Sequence, residues 1–382
     1  MRLVLLKTAQ GEFAATQFID ATYEGDLMAL ARVSWTLGRE SQEAHGESLA
    51  GHQFPKRRME SSPRDAAGKL LPLMTAASPG SDSGDRRVMT YSFRLCLSND
   101  PANRVPLTEP PGYDPARFEL ARRAILEDPK SVMLDLYSLP RAGKFDGNNG
   151  IGKQISLGLI GTGSKWAESS WPRRQQIWQA HKDYTLEFLW FLQHDPSVPE
   201  KIRERMASVG LAKDEFKEYD HWPPALYVRE ARRMVGRYVM TQHDIRTNVT
   251  KEDSIGVGSF PIDSHDCQRV ATKAGGWVNE GTIMPKRLPA GHGHPHQLPY
   301  RSITPREEEC ANLLVPVCLS ATHVAFSSVR VEPTWMVLGQ SAGIAAAMAA
   351  ETDVAVQRLS YKELRERLIA AGQVLDLQPL RD

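Results

Sequence analysis

The chain has 382 residues, of which 41% are hydrophobic and 24% charged, a balance typical of a soluble globular protein with one large or two ordinary domains. Its 47 basic and 46 acidic side chains give a formal net charge of +1, so no strong field favours nucleic acid or an anionic membrane surface. No apolar run approaches the length of a membrane span, and four widely spaced cysteines indicate neither a zinc site nor a disulfide framework. We therefore expect a small molecule as the partner, with no nucleic acid and no membrane.

The first 40 residues predict a β-hairpin, a strand and a tight turn that leads into a helix. Residues 3–6 and 12–19 are the expected arms of the hairpin. The segment QFIDATYEGDLMALA, residues 17–31, then reads as strand, polar turn and helix, an arrangement in which backbone amides can approach a cofactor. We expect Ala21 and Thr22 to lie beside that cofactor.

Acidic residues in this turn favour helix capping over metal binding. Asp20, Glu24 and Asp26 do not match the oxygen spacing of a calcium loop, so we expect the latter two to cap the helix. The alternating histidines of GHGHPH, residues 291–296, lack a second ligand cluster. The sequence therefore predicts no metal site.

The middle of the chain divides into two parts. Residues 41–90 are rich in Gly, Ser, Pro and charge, and predict an exposed, weakly ordered excursion. Residues 91–299 carry patterns typical of an inserted α+β domain. The expected elements are a strand within 88–105, a helix over 114–127 that begins with Asp and Pro, a strand within 131–140, and helices over 170–192 and 199–209.

Two elements near the C-terminus complete the predicted fold. NLLVPVCLSA, residues 312–321, is an apolar run typical of a buried strand, and it leads into a helix rich in Gly and Ala. A surface helix is predicted over 360–371, where Ser360 and Glu363 have capping-box spacing.

The Gly/Ala helix, residues 331–350, has the features of a helix that presents its N-terminus to a ligand. Pro333 suits its first turn, which leaves the neighbouring amides and the positive end of the helix dipole free to stabilise negative charge. Gly339 and Gly343 lie four residues apart and would allow close contact with a strand. A tightly packed core helix is the alternative interpretation.

The usual nucleotide fingerprint is missing from this sequence. A G-x-G-x-x-G turn directly after a first strand would be expected in a flavin or nicotinamide enzyme. The glycine clusters at 147–152 and 161–163 lie in mid-chain and follow no such strand. We therefore expect the diphosphate cradle to be absent from the chain.

Several long segments, in order, resemble bacterial FAD-dependent oxidoreductases of the glutathione-reductase-like superfamily, a group often labelled xanthan-lyase-like. The similarity covers nearly the whole chain. The segments that show the similarity are FIDATYEGDLMALA, LYVREARRMVGRYVMTQHD, SFPIDSHDCQR, PYRSITP and NLLVPVCLSATHVAFSSVRVEPTWMVLGQSAGIAAA.

The resemblance implies an α/β fold in which a three-layer FAD-binding domain carries an inserted α+β substrate domain. Residues 1–40 and 300–382 would form the FAD-binding domain, which would lack its first βαβ unit because this unit precedes the hairpin in the family. It also implies a truncated or misassigned start. The expected activity is hydride transfer to FAD from a polar or carbohydrate-like small molecule.

The resemblance also implies site residues. The expected catalytic residues are His265, His323, Tyr300 and Arg301. The expected substrate-binding residues are Arg229, Arg232 and Arg233, since arginine binds carboxylates in a bidentate manner. The expected flavin contacts, besides Ala21 and Thr22, are Ser328, Arg330, Val331, Glu332 and Pro333.

Other interpretations stay open at this point. The REARR run at 229–233 would equally suit a solvated strand edge, or an ion-pair network with Glu230 and Asp244. For the chain as a whole, the alternatives are a non-catalytic remnant or ligand-binding module that cannot hold FAD, and a cofactor-free carbohydrate lyase that uses Tyr300 and His265.

Overall fold

The N-terminal strands and turn form as the sequence predicts. A computed structural model describes residues 1–247, 249–286 and 293–377. Its first two strands form the antiparallel hairpin, and the third pairs in parallel with the strand of the NLLVPVCLSA segment, Phe18 opposite Leu313. The polar turn after Ile19 is thus placed at the carboxyl end of a parallel strand pair, where α/β proteins commonly bind ligands.

The regular elements alternate along the chain. The helices are α1 (Asp26–Leu30), α2 (Gln42–His45), α3 (Glu119–Glu127), α4 (Trp171–His194), α5 (Glu200–Ala207), α6 (Gln242–Arg246), α7 (His323–Val329), α8 (Glu332–Thr352) and α9 (Tyr361–Ala370). The strands are β1 (Leu5–Thr8), β2 (Gly11–Ala14), β3 (Phe18–Ile19), β4 (Trp35–Thr36), β5 (Leu95–Ser98), β6 (Arg104–Val105), β7 (Asp135–Ser138), β8 (Lys144–Asn148), β9 (Gly210–Ala212), β10 (Arg233–Met234), β11 (Ser254–Gly258), β12 (Gln268–Ala271), β13 (Trp277–Glu280), β14 (His296–Pro299) and β15 (Leu313–Leu314). This mixture of helices and sheets agrees with an α/β FAD-binding fold.

A five-stranded antiparallel sheet and three helices build the first large core. The sheet has the order β6-β9-β5-β8-β7, and α3, α4 and α5 lie in the same part of the chain. Phe118, just before α3, is fully buried and stacks on Phe191 of α4 with ring centroids 4.9 Å apart. The three helices were expected from their sequence patterns, and the bounds of α4 and α5 agree with the prediction to within two residues at each end. The third, α3, begins five residues later than expected, because Pro115–Phe118 form a 3₁₀ turn before it.

A second core forms around α8. Its buried side chains come from α7, α8 and α9 and from the chain between Met240 and Ile303. After Ala231 the chain contributes mainly to this second core, although Trp277 of β13 still packs in the first core. The expected domain boundary at residue 299 stays a prediction. The antiparallel pair β11–β14 lies in this second core and provides the surface on which α8 packs.

The close approach between α8 and a strand depends on a glycine that the sequence analysis did not single out. A Cβ at Gly256 of β11 would lie 2.3 Å from Cγ1 of Val337, whereas a Cβ at Gly339 or Gly343 would meet nothing within 4 Å. The expectation that the α8 glycines permit the contact is therefore wrong. Ser341 stands on the packed face and donates a 2.8 Å hydrogen bond to the carbonyl of Ile255.

The segment 41–90 is less exposed than expected. Beyond α2 it forms no strand longer than a single bridge, but Met59 and Leu71 are buried in the first core. Bridges join Met59 to Trp277 and Ala76 to Val270, so the segment runs along the β12–β13 hairpin. Its turn-rich composition predicted the lack of regular elements but not these anchoring side chains.

Two adjacent turn glycines test this attachment. Gly275 and Gly276 both have positive φ, but a Cβ at Gly276 would lie 2.0 Å from the carbonyl oxygen of Met59, whereas one at Gly275 meets nothing. Both alanine variants incur backbone strain of about 1–3 kcal/mol. We expect Gly276→Ala to lose roughly 1–3 kcal/mol more, because the neighbouring segment must move. Urea unfolding of both variants measures the difference, and equal losses would contradict the attachment.

Candidate functional site

The turn after β3 is held by the carboxylate of Asp20. One oxygen accepts from the Thr22 amide at 3.1 Å and hydroxyl at 2.7 Å, and the other accepts from the Met28 amide at 2.8 Å. The hydroxyl of Thr22 in turn accepts from the Gly25 amide at 3.0 Å. Side chains rather than a glycine cradle therefore fix the conformation of Ala21 and Thr22.

Glu24 and Asp26 do not cap α1, contrary to expectation. Glu24 accepts a 2.9 Å hydrogen bond from Nε1 of Trp166, and Asp26 accepts two from Arg174 at 2.6 and 2.7 Å. Arg232 adds a third hydrogen bond to Asp26 at 2.8 Å. These contacts join the turn to the start of α4 and close one side of a cavity.

That cavity has a volume of about 840 Å³ and is lined mainly by apolar and aromatic side chains. Its walls include Trp171 and Trp178 of α4, Phe216, Tyr227, and Tyr23 of the turn. A cavity of this size with few polar groups is the usual form of a small-molecule site. The sequence analysis missed these residues, although the tryptophans of 166–178 cluster visibly in the sequence.

Beside the cavity, Arg229, His265 and Arg330 form a polar cluster, which we call the arginine–histidine cluster. Both arginines are at most 3% exposed. Arg229 donates to the Thr90 carbonyl at 2.8 Å and the Ser92 hydroxyl at 3.0 Å, and Arg330 donates to the Asp263 carbonyl at 2.9 Å. Among the described residues, the acceptors of these hydrogen bonds are all neutral.

The charges of this cluster shift its pKa values. Burial, reinforced by Arg330, lowers the pKa of Arg229 to about 9. Burial first, and then Arg229, Arg330 and Arg94, hold the pKa of His265 well below its usual range, so its imidazole is neutral at neutral pH. The carboxylate of Asp263 lies 3.8 Å from Nε2 of His265.

Aromatic rings connect the cavity to the arginine–histidine cluster and to α8. The Tyr227 ring lies between two guanidinium groups, with Arg94 at 5.5 Å and Arg229 at 4.9 Å from its centroid. Tyr23 packs edge-on against Trp335 at 4.9 Å, and its hydroxyl lies 3.4 Å from Glu332. Burial and the Glu332 carboxylate raise the pKa of Tyr23 to about 12.

The start of α8 fits an anionic or hydrogen-bond-accepting group. Glu332 and Pro333 are exposed, with Val331 as N-cap and proline in the first turn. Nε of Arg330 and Nε1 of Trp335 are buried without a hydrogen-bond partner among the described residues. Ser328, another expected flavin contact, already uses its hydroxyl, which donates a 2.6 Å hydrogen bond to the Phe260 carbonyl.

His323 lies at the centre of a buried network instead of facing the cavity. Its Nδ1 is 2.9 Å from both carboxylate oxygens of Glu230, and its Nε2 is 3.3 Å from the hydroxyl of Ser264. The Ser264 hydroxyl donates to the Gly281 carbonyl at 2.8 Å. Since both ring nitrogens are engaged and the residue is 2% exposed, this geometry favours a structural role for His323.

The REARR run is buried and paired, so the solvated strand edge is wrong. Arg233 bonds to Glu230 at 2.5 Å and to Glu40 at 2.6 Å, and Arg232 bonds to Asp26. The predicted ion pair with Glu230 is therefore confirmed. The expected partner Asp244 is instead paired with Lys251.

Tyr300 and Arg301 belong to the second core and its surface. The Tyr300 hydroxyl donates to the Val356 carbonyl at 2.8 Å, and burial raises its pKa. Arg301 is bound to Asp253 through two nitrogens at 3.0 and 3.2 Å. Neither residue is among the cavity lining, and neither contacts the arginine–histidine cluster among the described residues.

The described residues contain no group of three or more side chains that could hold a metal ion. None of the described helices is long and apolar enough to cross a bilayer. His292 lies outside the described residues, while His296 is buried on β14.

The fold and the site together are those of a mixed α/β protein in which an apolar cavity of ligand size lies beside the polar turn after β3. A family model described as FAD dependent oxidoreductase matches residues 2–368, so the chain belongs to that family and its cofactor is FAD. No curated protein and no solved structure matches the chain.

The contact between the turn and α4 gives a testable prediction. Burial alone would raise the pKa of Asp26, but the hydrogen bonds from Arg174 and Arg232 outweigh it and lower the pKa. We expect Asp26→Asn to lose about 2–3 kcal/mol of stability at neutral pH, since it leaves buried Arg174 without a carboxylate. This loss is smaller than is usual for breaking a fully buried ion pair, because the Asp26 side chain is 31% exposed.

The pH dependence follows from the sign of that shift. Because the pKa of Asp26 is lower in the folded protein, its contribution is present above about pH 4 and is lost as the pH falls through the folded-state pKa. Urea unfolding of wild type and Asp26→Asn should therefore converge in acid. The matched control is Glu351→Gln, which breaks an exposed pair with Arg367 and should change little.

Proposed function

We propose that the chain oxidises a small molecule held in the aromatic cavity, with hydride transfer to FAD bound beside the start of α8. The observation that carries the proposal is the arginine–histidine cluster, whose Arg229 lies over the Tyr227 ring of the cavity wall at 4.9 Å and, with Arg330, lowers the pKa of His265. None of the three cluster residues is itself part of the described cavity lining. FAD supplies the hydride acceptor when it is bound.

Arg330 and the first turn of α8 would hold the cofactor. Arg330 precedes the helix by two residues, and its Nε is a buried donor without a hydrogen-bond partner among the described residues. The exposed first turn adds free amides and the positive end of the helix dipole. A group that carries partial negative charge would satisfy both.

His265 would act as the proton acceptor for a substrate hydroxyl. Its neutral imidazole can take a proton at a ring nitrogen, whereas a protonated histidine could not. Arg229 and Arg330 would stabilise the negative charge that develops on the substrate oxygen as the proton leaves. The same cations disfavour the imidazolium, so the proton would pass from His265 to the Asp263 carboxylate, which lies 3.8 Å from its Nε2, and from there to water.

The competing functions have weaker support. The lyase interpretation depends on Tyr300 together with His265, and the Tyr300 hydroxyl is bound in the second core. The remnant interpretation predicts that the chain binds a ligand but does not retain FAD. Cofactor retention therefore separates it from the proposed oxidoreductase.

Cofactor retention is the first test. The purified chain is incubated with FAD, passed through a gel-filtration column, and examined for flavin absorbance in the protein peak. We expect retention by wild type and about tenfold or greater loss of FAD affinity in Arg330→Met, because a hydrogen bond to a charged group is removed. Arg367→Met, on exposed α9, is the matched control. Absence of flavin from the wild-type peak would refute the proposal.

The two histidines give a second test. We expect His265→Asn to reduce the rate of flavin reduction by about 10²–10⁴-fold without unfolding the protein. His323→Asn should instead lower the unfolding midpoint, because Glu230 loses a buried partner. Since the pKa of His265 lies well below 6.5, the wild-type rate should not fall between about pH 8 and about pH 6.5. Stopped-flow absorbance and thermal unfolding give these readouts, and the reverse pattern would exchange the two roles.

A further inference from the structure

The chemistry of the cavity walls narrows the substrate class. The cavity exposes mostly apolar surface, and its aromatic side chains come from α4, from residues 216–227 and from the turn after β3. Such walls match a flat, apolar molecule, since aromatic rings stack in offset or edge-on contacts.

The polar groups at the walls are few, and two of them, Arg174 and Glu24, are already engaged. Arg174 is bound to Asp26 and to the carbonyls of Trp166 and Ala167, and Glu24 accepts from Trp166. A sugar carries a hydroxyl on almost every carbon, and each hydroxyl left without a partner in such a cavity costs roughly 1–3 kcal/mol. The cavity therefore disfavours a carbohydrate.

The charges at the walls also discriminate among ligands. Arg174 lies over the Trp171 ring at 4.9 Å, and Lys182 lies over Trp178 at 5.6 Å, so two aromatic faces already hold cations. A cationic ligand would be repelled there, although Glu24 offsets part of this charge. Among the charged side chains of the described lining, only Glu24 would repel a negative ligand.

Arg94 is the side chain that can bind a negative group within the cavity. Its side chain is 44% exposed, and Nε and one terminal nitrogen bond to Asp146, which leaves the other terminal nitrogen without a described hydrogen bond. It lies on the Tyr227 side of the cavity, next to the arginine–histidine cluster. A ligand bound to Arg94 would thus be held beside His265.

We propose that the cavity binds a planar aromatic carboxylate that also carries the hydroxyl group to be oxidised, with its ring against Trp171 and Trp178 and its carboxylate on Arg94. The assignment deepens the proposed function by naming the substrate class, and it rests on that function for the reaction but not for binding. Arg94 and Trp171 are then specificity-determining residues.

Matched ligands test the assignment by isothermal titration calorimetry on the full chain, with and without FAD. The probes share one ring system and differ in charge: 2-naphthoate, 2-naphthylmethanol and (2-naphthylmethyl)trimethylammonium, with maltotriose as the sugar. We expect 2-naphthoate to bind about tenfold more tightly than the alcohol, as a charge-assisted hydrogen bond provides. The cation and the sugar should bind more weakly still.

Two variants distinguish the contribution of Arg94 to binding from that of Trp171. Arg94→Met should remove the preference for 2-naphthoate and leave the alcohol unchanged. Trp171→Ala should weaken both by about threefold to tenfold, because stacking is lost; this side chain is 73% exposed, so the fold should persist. Trp190→Phe is the control, because Trp190 stacks on His194 outside the cavity lining.

The outcomes distinguish this inference from the proposed function. Tightest binding of the sugar or of the cation, no binding of any naphthalene probe, or an equal loss of acid and alcohol binding in Arg94→Met would overturn the inference. Binding of 2-naphthoate by a chain that retains no FAD would support the cavity assignment and refute the oxidoreductase. Retention of FAD without binding of 2-naphthoate would support the oxidoreductase and refute the cavity assignment.

Discussion

The buried carboxylate of Glu230 is the interaction on which the rest of the structure depends. It is 1% exposed and accepts hydrogen bonds from the Met89 amide, from Arg233 and from His323. These partners come from segments far apart in sequence, so a single charge ties the first core to α7. Burial would raise its pKa, but His323 and Arg233 outweigh that effect and lower it, which keeps the group ionised. Removing Arg233 or His323 would leave the buried carboxylate with fewer compensating partners, which would destabilise the fold.

Elements whose signal is local could be predicted from the sequence. The N-terminal hairpin, the helical segment that starts at Pro115 and continues as α3, and α9 all lie near their expected positions. Ser360 caps α9 by accepting a hydrogen bond from the Glu363 amide. Hairpin pairing, proline at a helix start and a capping serine depend on residues a few positions apart, which a sequence displays directly. The packing partner of α8 depends instead on Gly256, almost eighty residues upstream, and no local pattern marks it.

The site was only partly predictable for the same reason. The family resemblance predicted His265, Arg229 and Arg330 as site residues. In the structure these three residues interact electrostatically, because Arg229 and Arg330 both lower the pKa of His265. The resemblance could not show that Tyr300 turns into the second core, since an exposed and a buried tyrosine look alike in a sequence. Nor could it show the cavity, because Tyr23 and Trp171 meet only after the Asp26–Arg174 contact brings the turn to α4.

The adjacency of Arg229 and Glu230 links the structural network to the chemistry. Successive residues of an extended chain point to opposite sides, so Glu230 enters the network while Arg229 enters the arginine–histidine cluster. Burying Arg229 is costly because its hydrogen bonds within the described part of the chain go only to neutral acceptors, and its pKa of about 9 reflects that cost. The anchored Glu230 prevents the chain from relaxing that strain by moving Arg229 into water. A cationic environment is thereby maintained next to an apolar cavity, where low water content strengthens its action on any charge that develops in a bound ligand.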